Sequence, residues 1–323
     1  MNVLVIGGAG YIGSHMVSCL LDNQHHVITL DNLSTGHREA VLGGDFIEGN
    51  CGNKTLLKQI FTEHAIDAVM HFAASSLVGE SVDNPAKYYH NNVTHTINLL
   101  DMMCEHDIKH FIFSSTAALF GNAKTIPIAA DARVQPLNPY GHSKAMVETI
   151  LQDYDKAYGL KSICLRYFNA AGADPKVRIG EDHNPETHLI PIILQAASGQ
   201  RDSVSIFGED YDTPDGTCIR DYIHVCDLAN AHLLALEHLI ANQQSLRFNL
   251  GNGNGFSVKE VIDTVKQVTG KEFTVNLAER RPGDPARLIA DSQAAIDTLH
   301  WQPQYADLAT IIQHAWQWEL KQC

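Results

Sequence analysis

The sequence has few positive charges for its length, and this shortage limits the partners that it can bind. It carries 23 Lys and Arg against 37 Asp and Glu, which gives a formal net charge of −14. Because nucleic-acid binding depends on a basic surface that neutralises phosphates, we expect no nucleic-acid partner. A small anionic ligand is not excluded, since a few local arginines and backbone amides can hold one within an acidic protein.

Long apolar runs are also missing. The N-terminal segment MNVLVIGGAG has no basic stretch before a short apolar run, whereas a signal peptide needs a basic part and a longer apolar part. No segment approaches the roughly 20 apolar residues that cross a membrane. We therefore expect no membrane partner and a cytoplasmic location.

Cysteine and histidine show no pairing or metal-binding pattern. The seven cysteines are odd in number and none forms a CxxC pair, which predicts free thiols in a reducing compartment. The 18 histidines form no HExxH motif and no Cys/His cluster, so we expect no metal.

The first half of the chain alternates short β-branched apolar runs with helical patterns. Because the strands lack strict alternation and are separated by helices, they indicate a parallel sheet covered on both faces, the doubly wound α/β (Rossmann) architecture. Expected strands lie at 2–6, 26–31, 45–48, 67–72, 109–114 and 161–169, and expected helices at 11–23, 53–64, 85–105 and 139–158.

The length of 323 residues suggests about two domains. From about Gly172 onward, Gly, Pro and charged residues become denser and the elements less regular. We expect a dinucleotide-binding Rossmann domain at 1–171, with a return segment near 219–240. A smaller C-terminal α/β substrate domain would occupy 172–323.

A glycine-rich segment follows the first strand and opens the first helix. In this position Gly7 permits a tight turn, Gly10 lets the backbone approach a pyrophosphate, and Gly13 allows close helix–strand packing. The spacing is GxxGxxG rather than GxGxxG, and Asp31 ends the second strand 18 residues after Gly13. A carboxylate there accepts ribose hydroxyls and repels a 2′-phosphate, which favours NAD over NADP. The alternative for Asp31 is a turn residue in DNLSTG.

Three polar residues form a candidate catalytic group. Tyr140 and Lys144 share one face near the start of a predicted helix, and Thr116 follows a strand 24 residues before Tyr140. To act as a base at pH 7, the tyrosine pKa must fall by about three units, or roughly 4 kcal/mol. The Lys144 ammonium and an oxidised nicotinamide together supply positive charge for that shift. The pattern predicts proton removal coupled to hydride transfer; the alternative is a surface tyrosine with a solvated lysine.

Longer segments carry a family resemblance. The chain resembles the UDP-glucose (UDP-galactose) 4-epimerases of the extended short-chain dehydrogenase/reductase superfamily over residues 1 to about 290. The matching segments are GGAGYIGSH, DNLSTGH, VMHFAA, FSSTAALFG, YGHSK, LRYFNAAGA, GEDHNPETHLIP, IFGEDYDTPDGTCIRDYIHV, NLGNGNGFSV and RRPGDPARL.

The resemblance implies an NAD-dependent isomerase that interconverts UDP-glucose and UDP-galactose through a 4-keto intermediate with transient NADH, in galactose metabolism. It implies a homodimer, which in this superfamily often forms through the helices at 85–105 and 139–158; the alternative for their apolar residues is packing on the sheet. Tyr140 would be the acid/base, Lys144 its electrostatic partner and a ribose contact, and Thr116 the hydroxyl that is Ser in many members.

The resemblance also implies two sets of binding residues. The cofactor set is Gly7, Gly10, Tyr11, Ile12, Gly13, Asp31, Asn32, Asn50, Cys51, Phe72, Ala73, Ala74, Asn91, Tyr140, Lys144 and Phe168. The UDP-hexose set is Thr116, Asn169, His188, Leu189, Ser205, Phe207, Arg220, Tyr222, Arg281 and Asp284. For each arginine taken singly, the alternative is a surface salt bridge.

The chain departs from the family pattern at several positions. Asn50 and Cys51 stand where many members have an Asp that reaches adenine, Ser76 replaces a Lys near the pyrophosphate, and Phe120 replaces a frequent Tyr. Leu288 stands where some members carry a Tyr against the hexose, and the smaller side chain leaves room for a 2-acetamido group. We therefore expect UDP-N-acetylglucosamine and its galacto epimer as further substrates.

Two other functions remain as alternatives. A nucleotide-sugar 4,6-dehydratase begins with the same oxidation, but related dehydratases place an Asp-Glu pair after the catalytic Thr, where this chain has Ala117 and Ala118. A non-catalytic NAD-binding regulator would lose the Tyr or the Lys of the catalytic pair, and both are present here.

Overall fold

The computed structural model describes residues 1–281 and 284–322. The thiol expected at Cys323 and the Pro-Gly of RRPGDPARL lie outside these residues. The six cysteines in the described part are free, as expected. Among the helices of the described residues, none is long and apolar enough to cross a membrane.

The main sheet has seven parallel strands and confirms the doubly wound architecture. Their order is β11-β6-β5-β4-β1-β2-β3, which places the first strand inside the sheet between β4 and β2, as in dinucleotide-binding folds. The strands are β1 Asn2–Ile6, β2 His26–Asp31, β3 Asp45–Glu48, β4 Ala68–His71, β5 His110–Thr116, β6 Lys161–Tyr167 and β11 Leu246–Leu250.

Helices cover both faces of this sheet. Residues of β1 alternate between the two faces, so that Val3 and Val5 belong to one hydrophobic core and Leu4 and Ile6 to the other. The first face packs against α1 Tyr11–Asp22 and α8 Val225–Asn242, and the second against α2 Lys54–Glu63, α5 His95–Glu105 and α6 Pro139–Tyr158. Burial on both faces explains why the strands lack a polar alternation.

A third hydrophobic core is formed by residues that follow β6 in the chain. It joins helices α7 Leu189–Ser198, α9 Val258–Thr269 and α11 Leu308–Gln322. The small strands near it are β7 Asn169–Ala171, β8 Ser203–Phe207, β9 Ile219–Arg220, β10 Tyr222–His224, β12 Phe256–Ser257, β13 Thr274–Ala278 and β14 Arg287–Leu288. Helix α10 Gln293–Leu299 packs instead with the core of the main sheet.

One buried carboxylate ties several of these segments together. Asp221, between β9 and β10, is fully buried. Its Oδ1 accepts a hydrogen bond from the Asn252 amide at 2.6 Å, and its Oδ2 accepts from Gly253 at 3.1 Å and Ala290 at 3.0 Å. Three segments distant in sequence are therefore held at one point.

The prediction of one regular helix at 85–105 is wrong, because the helical structure of this region is divided. The chain instead forms α3 Val78–Asp83, α4 Pro85–Tyr88, a π-helical segment Tyr89–Thr94 and then α5. Asn91 and Asn92 both lie in the π-helical segment. Insertions of this kind are common where a side chain must reach a functional site.

Two other expectations need correction at strand ends. The strand expected at 161–169 ends at Tyr167, and Asn169–Ala171 forms a separate strand that pairs with β10. Strand β11, inside the expected second domain, pairs with β6 at the edge of the main sheet. Helix α8, in the expected return segment, packs against α1; the domain boundary at 171 itself stays a prediction.

Candidate active site

The glycine loop joins β1 to α1 and leaves an open cradle. Gly7 has φ +79°, and a Cβ there would lie 2.5 Å from the backbone nitrogen of Ala73. Gly13 packs equally closely against the Gly7 carbonyl, whereas the atom nearest to a Cβ at Gly10 is 3.5 Å away. Gly10 caps α1 without a side-chain hydrogen bond among the described residues. The free amides of the first turn therefore suit a pyrophosphate.

Asp31 combines the two interpretations that the sequence left open. Its Oδ1 accepts from the Leu33 amide at 2.8 Å, which closes a local turn, and its Oδ2 accepts from the Ala9 amide in the glycine loop at 2.9 Å. The carboxylate is buried and is thus oriented beside the loop. An acceptor fixed there fits the ribose hydroxyls of an NAD molecule.

The other expected cofactor residues surround this loop. Tyr11 donates its hydroxyl to the Gly172 carbonyl at 2.7 Å, and Ile12 packs against the core of the main sheet. Asn32 and Asn50 each accept a backbone amide two residues later, at 3.1 and 2.7 Å. Cys51 is buried, which raises the pKa of its thiol to about 11. These residues shape the loop surroundings, and their contact with NAD stays a prediction.

The segment after β4 lies next to the glycine loop. Phe72 donates its amide to the Ile6 carbonyl at 2.8 Å, and its ring packs 5.0 Å from that of His232. Ala73 follows as the closest neighbour of Gly7, and Ala74 is partly exposed. The resemblance implies that these three residues line the cofactor, and their contact with NAD stays a prediction.

The three candidate catalytic residues converge at the ends of β5 and α6. Asn138 caps α6 by accepting the Gly141 amide at 2.9 Å, and Pro139 occupies its first turn. Tyr140 and Lys144 therefore lie one turn apart at the start of the helix. Thr116 ends β5, and its hydroxyl hydrogen-bonds with Tyr140 and lowers the tyrosine pKa.

Lys144 is buried, with 3% of its surface exposed. Its Nζ donates to the Ser114 carbonyl at 2.9 Å and lies 4.7 Å from the centroid of the Phe113 ring. Burial lowers the pKa of Lys144 to about 7, against an opposing effect of Glu148. Burial and the charge of Lys144 together lower the pKa of His71 to about 3, so this imidazole is neutral at physiological pH.

The structure changes one part of the expected electrostatics. Burial raises the pKa of Tyr140 above its ordinary value, and the hydrogen bond with Thr116 opposes this rise only in part. The protein's own groups thus keep the phenol protonated. An additional positive charge beside the phenol is needed before it ionises near neutral pH.

Asn92 is a site residue that the sequence did not reveal. It is buried in the π-helical segment, and its side chain bonds both the amide and the carbonyl of Ser75, at 2.9 and 3.0 Å. Its Nδ2 also donates to Ser143 Oγ at 3.0 Å, and Ser143 donates to the Tyr140 carbonyl at 2.7 Å. The expected cofactor residue Asn91 donates to Asn92 at 3.0 Å. Asn92 thereby fixes the loop after β4 against the start of α6.

A buried ion pair supports the same helix one turn later. Glu148 accepts from Arg166 at 2.9 and 2.5 Å and from the Ser115 hydroxyl at 2.6 Å. The two charged side chains are 6% and 2% exposed. The pair links α6 to β5 and β6 below the catalytic residues. Its only sequence signal was a charged residue in each element, which more often indicates a solvated face.

The expected UDP residues form two pairs. Arg220 donates to Asp284 Oδ1 at 2.8 Å and to the Pro285 carbonyl at 2.9 Å. The Arg281 guanidinium lies 4.0 Å from the ring centroid of Phe207. Both guanidinium groups are therefore oriented by neighbours from other segments, which suits bidentate binding of phosphate.

The remaining substrate residues are spread over three short elements. Asn169 and Tyr222 are register partners in the β7–β10 pair, and Ser205 lies in β8 two residues before Phe207. His188 caps α7, of which Leu189 is the first residue, and the His188 ring bonds Glu181. Substrate contact by these residues stays a prediction.

An apolar cluster lies between the catalytic and the UDP residues. Leu288 and Phe168 pack against Leu119, Phe120 and Ile128. Leu119 and Phe120 follow Thr116 in a 3-10 turn. Leu288 is also the register partner of Arg220 in the β14–β9 pair. The cluster therefore connects the end of β5 to the strand that carries the arginine.

Replacing Lys144 by Met should stabilise the protein in a pH-dependent way. The folded-state pKa of about 7 lies below the unfolded value of about 10.4. The ammonium therefore destabilises the fold fully below pH about 7, and this penalty disappears as the pH rises towards about 10. We expect the free energy of unfolding, measured with denaturant, to be higher for Lys144→Met than for the native chain. The difference should be largest at about pH 6 and smallest at about pH 9.

Lys156→Met is the matched control, because Lys156 is an exposed lysine of the same helix. Its stability difference from the native chain should not change with pH. A native chain that is more stable than Lys144→Met at every pH would contradict the destabilising role of the buried ammonium.

Comparison with known proteins assigns the chain to a family. The model of the NAD dependent epimerase/dehydratase family matches residues 3–251. A protein of Halalkalibacterium halodurans named UDP-glucose 4-epimerase is 57% identical over 98% of this chain and 95% of its own length. The crystal structure of UDP-glucose 4-epimerase from Brucella ovis in complex with NAD has a TM-score of 0.96 and 48% identity, and covers 98% of this chain and 97% of that one.

A third relative is named after two UDP-sugars rather than one. The structure of the UDP-Glc/GlcNAc 4-epimerase from Campylobacter jejuni has a TM-score of 0.87 and 45% identity, and covers 100% of this chain and 99% of that one. The glycine loop, the parallel sheet and the Thr116–Tyr140–Lys144 group agree with this kinship. The chain therefore belongs to the NAD dependent epimerase/dehydratase family.

Proposed function

We propose that the protein catalyses the reversible 4-epimerisation of UDP-glucose and UDP-galactose with NAD. The observation that carries this function is the convergence of Thr116, Tyr140 and Lys144 beside an open glycine loop. The name of the Halalkalibacterium halodurans relative, which is 57% identical to this chain, agrees with it.

The residues around the glycine loop fit NAD. The uncapped amides of α1 suit a pyrophosphate, and the buried Asp31 supplies an oriented acceptor for a ribose. When bound, NAD supplies a reversible hydride acceptor for carbon 4 of the hexose. A group of the protein must move the proton of the 4-hydroxyl during this reaction.

Tyr140 is the proton carrier in this proposal. Its phenolate oxygen accepts the proton from the 4-hydroxyl during oxidation of the sugar. The resulting phenol returns the proton to the same sugar oxygen when carbon 4 is reduced again. Thr116 hydrogen-bonds with Tyr140 and can orient the reacting hydroxyl. Lys144 contributes a charge fixed by the Ser114 carbonyl, and we assign it a contact with the ribose.

The UDP part is held by different residues from those that hold the sugar. Arg220 and Arg281 are preoriented for the diphosphate by Asp284 and Phe207, whereas the expected sugar side is the apolar cluster around Leu288. Firm binding of the nucleotide and loose binding of the hexose allow the sugar to present either face. Binding energy from the unreactive nucleotide then retains the intermediate.

A dehydratase function is not favoured. Removal of water across carbons 5 and 6 needs an additional acid and base beside the catalytic threonine. The residues that follow Thr116 are Ala117 and Ala118, in the 3-10 turn Ala117–Phe120. Neither side chain can transfer a proton.

Tyr140→Phe should abolish turnover without unfolding the protein. Loss of the phenolic proton carrier should lower kcat for UDP-galactose by about 10²- to 10⁴-fold, while the melting temperature changes little. A coupled assay that detects UDP-glucose measures this. Tyr158→Phe, an exposed tyrosine of the same helix, is the matched control and should keep full activity. Near-native turnover by Tyr140→Phe would refute the assigned role.

We propose that the protein also accepts the 2-acetamido sugars UDP-N-acetylglucosamine and UDP-N-acetylgalactosamine. Leu288 contributes a short side chain to the apolar cluster, next to the strand of Arg220. The Campylobacter jejuni relative, named a UDP-Glc/GlcNAc 4-epimerase, supports this breadth. A larger residue at Leu288 would occupy the space that the acetamido group needs.

Leu288→Tyr should narrow the substrate range. Turnover of UDP-N-acetylglucosamine should fall by at least about tenfold, a cost of about 1.4 kcal/mol, while UDP-galactose is affected much less. Product ratios measured for both sugars, without added NAD, test this. Leu277→Tyr, at an exposed leucine of β13, is the control. An unmodified chain that turns over UDP-galactose but not UDP-N-acetylglucosamine would defeat the proposal.

We further propose a cytoplasmic homodimer that serves galactose metabolism. An apolar groove of about 420 Å³ lies along α6. Its lining residues are Val93, Pro136, His142, Ala145, Met146, Thr149 and Ile150. Met146 is 44% and Leu137 55% exposed, and apolar groups this exposed on neighbouring segments favour burial against a second copy. The proposal agrees with the helices that the family resemblance assigned to the dimer.

Met146→Asp should dissociate the dimer, because a carboxylate would be buried without a partner in the interface. Sedimentation or light scattering should give the dimer mass for the native chain and the monomer mass for the variant. Lys58→Asp, on α2 away from the groove, should remain dimeric. A native chain that is monomeric at assay concentrations would overturn this part.

A further inference from the structure

Four side chains of kinds that bind metal ions lie close together just before α7. None of them belongs to the catalytic group, and one, His188, is also in the expected UDP-hexose set. Glu181, His183, Glu186 and His188 each place one ligand atom so that the four atoms lie within 4.8 Å of one another. The spacing ExHxxExH differs from the HExxH motif and contains no cysteine. Proximity arises because the loop folds back on itself.

The two imidazoles point to the same carboxylate. His183 Nδ1 lies 3.2 Å from Glu181 Oε1, and His188 Nδ1 contacts that same oxygen. The second carboxylate, Glu186, lies 3.6 Å from His183 Nδ1 and 3.8 Å from His188 Nδ1. The two glutamates are only 6% and 4% exposed. Two nitrogens and two carboxylates thus surround one small volume.

One nitrogen of the group is left without a hydrogen bond. His183 Nδ1 is enclosed and has no hydrogen-bond partner among the described residues, although Glu181 Oε1 is close to it. The atom nevertheless faces both carboxylates at ion-pair distance. An imidazole nitrogen enclosed in this way can coordinate a cation that takes the place of its proton.

Outer contacts hold the ligands in place. Glu186 accepts the amides of Thr187 and His188 at 2.6 and 2.8 Å. The Trp318 indole donates to the Glu181 carbonyl at 2.9 Å, and the Tyr11 ring packs edge-on at 6.3 Å from His183. Such outer contacts orient the ligands in metal sites.

We propose that Glu181, His183, Glu186 and His188 bind one divalent transition-metal ion of the Zn²⁺ type. Two imidazole nitrogens and two carboxylate oxygens form a complete tetrahedral ligand set. Imidazole disfavours Mg²⁺ and Ca²⁺, which prefer oxygen ligands. The site would hold together the loop at 181–188. This loop contacts Tyr11 through His183 and leads directly into Leu189 of α7. Its role is structural, because no ligand position stays open for chemistry.

Metal binding to the full-length protein tests the proposal. The protein is freed of metal with a chelator and titrated with Zn²⁺ and, separately, with Co²⁺. We expect one ion per chain, a visible Co²⁺ absorption band typical of tetrahedral coordination, and a change in tryptophan fluorescence caused by Trp318. Elemental analysis gives the stoichiometry, and calorimetry gives the affinity.

Two conservative variants locate the site. Glu181→Gln and His188→Asn should each weaken Zn²⁺ binding by at least about tenfold. His300→Asn, an exposed histidine at the end of α10, should bind as the native chain does. Circular dichroism of the metal-free variants shows whether they are folded, and His188→Asn is the milder change because the His188 side chain is half exposed.

The proposal fails if the native chain takes up no stoichiometric Zn²⁺. It also fails if the folded variants and the His300→Asn control bind Zn²⁺ with the affinity of the native chain, since the ion would then be held by other surface histidines. In either case the four side chains form an ion-paired cluster of two imidazolium groups and two carboxylates.

Discussion

The buried ammonium of Lys144 is the interaction on which the catalytic end of the molecule depends. A charge with 3% exposure is costly in a protein interior, and its bonds offset only part of this cost, since burial still lowers the pKa of Lys144 to about 7. Here the Ser114 carbonyl accepts from it and the face of Phe113 lies nearby. Both partners belong to β5, so the helix that carries Lys144 must sit against the end of that strand. Tyr140 and Thr116 are brought together as a consequence.

Other buried polar groups keep this arrangement rigid. Asn92 bonds three separate backbone and side-chain groups, and Glu148 pairs with Arg166 one turn beyond Lys144. Buried ion pairs contribute little net stability, but removal of one partner leaves an uncompensated charge and costs about 3–5 kcal/mol. Alternative placements of α6 are therefore unfavourable. The helix start has one position relative to the loops after β1 and β4.

The sequence predicted those features that depend on local spacing. The order of an apolar run, glycines and a helical pattern predicted β1, the turn at Gly7 and α1, because few other local structures are compatible with that order. The spacing of Tyr140 and Lys144 placed both on one helical turn, as found. Asn92 was missed because its role depends on a π-helical turn and on Ser75 and Ser143, distant in the chain. Strand β11 was missed because its pairing with β6 is a long-range choice, and the pKa of Tyr140 depends on burial that no motif encodes.

The bonds that converge on Asp221 have a consequence for how selectivity can evolve. One carboxylate fastens the segments of Asn252, Gly253 and Ala290 to the turn between β9 and β10. Arg220 and Leu288 are register partners beside that turn, so the residues proposed to bind the phosphates and to contact the sugar ring belong to one rigid unit. Under the proposed function, adaptation to a bulkier or smaller hexose then requires substitution of only single residues beside the sugar ring. The residues that bind the phosphates can stay unchanged.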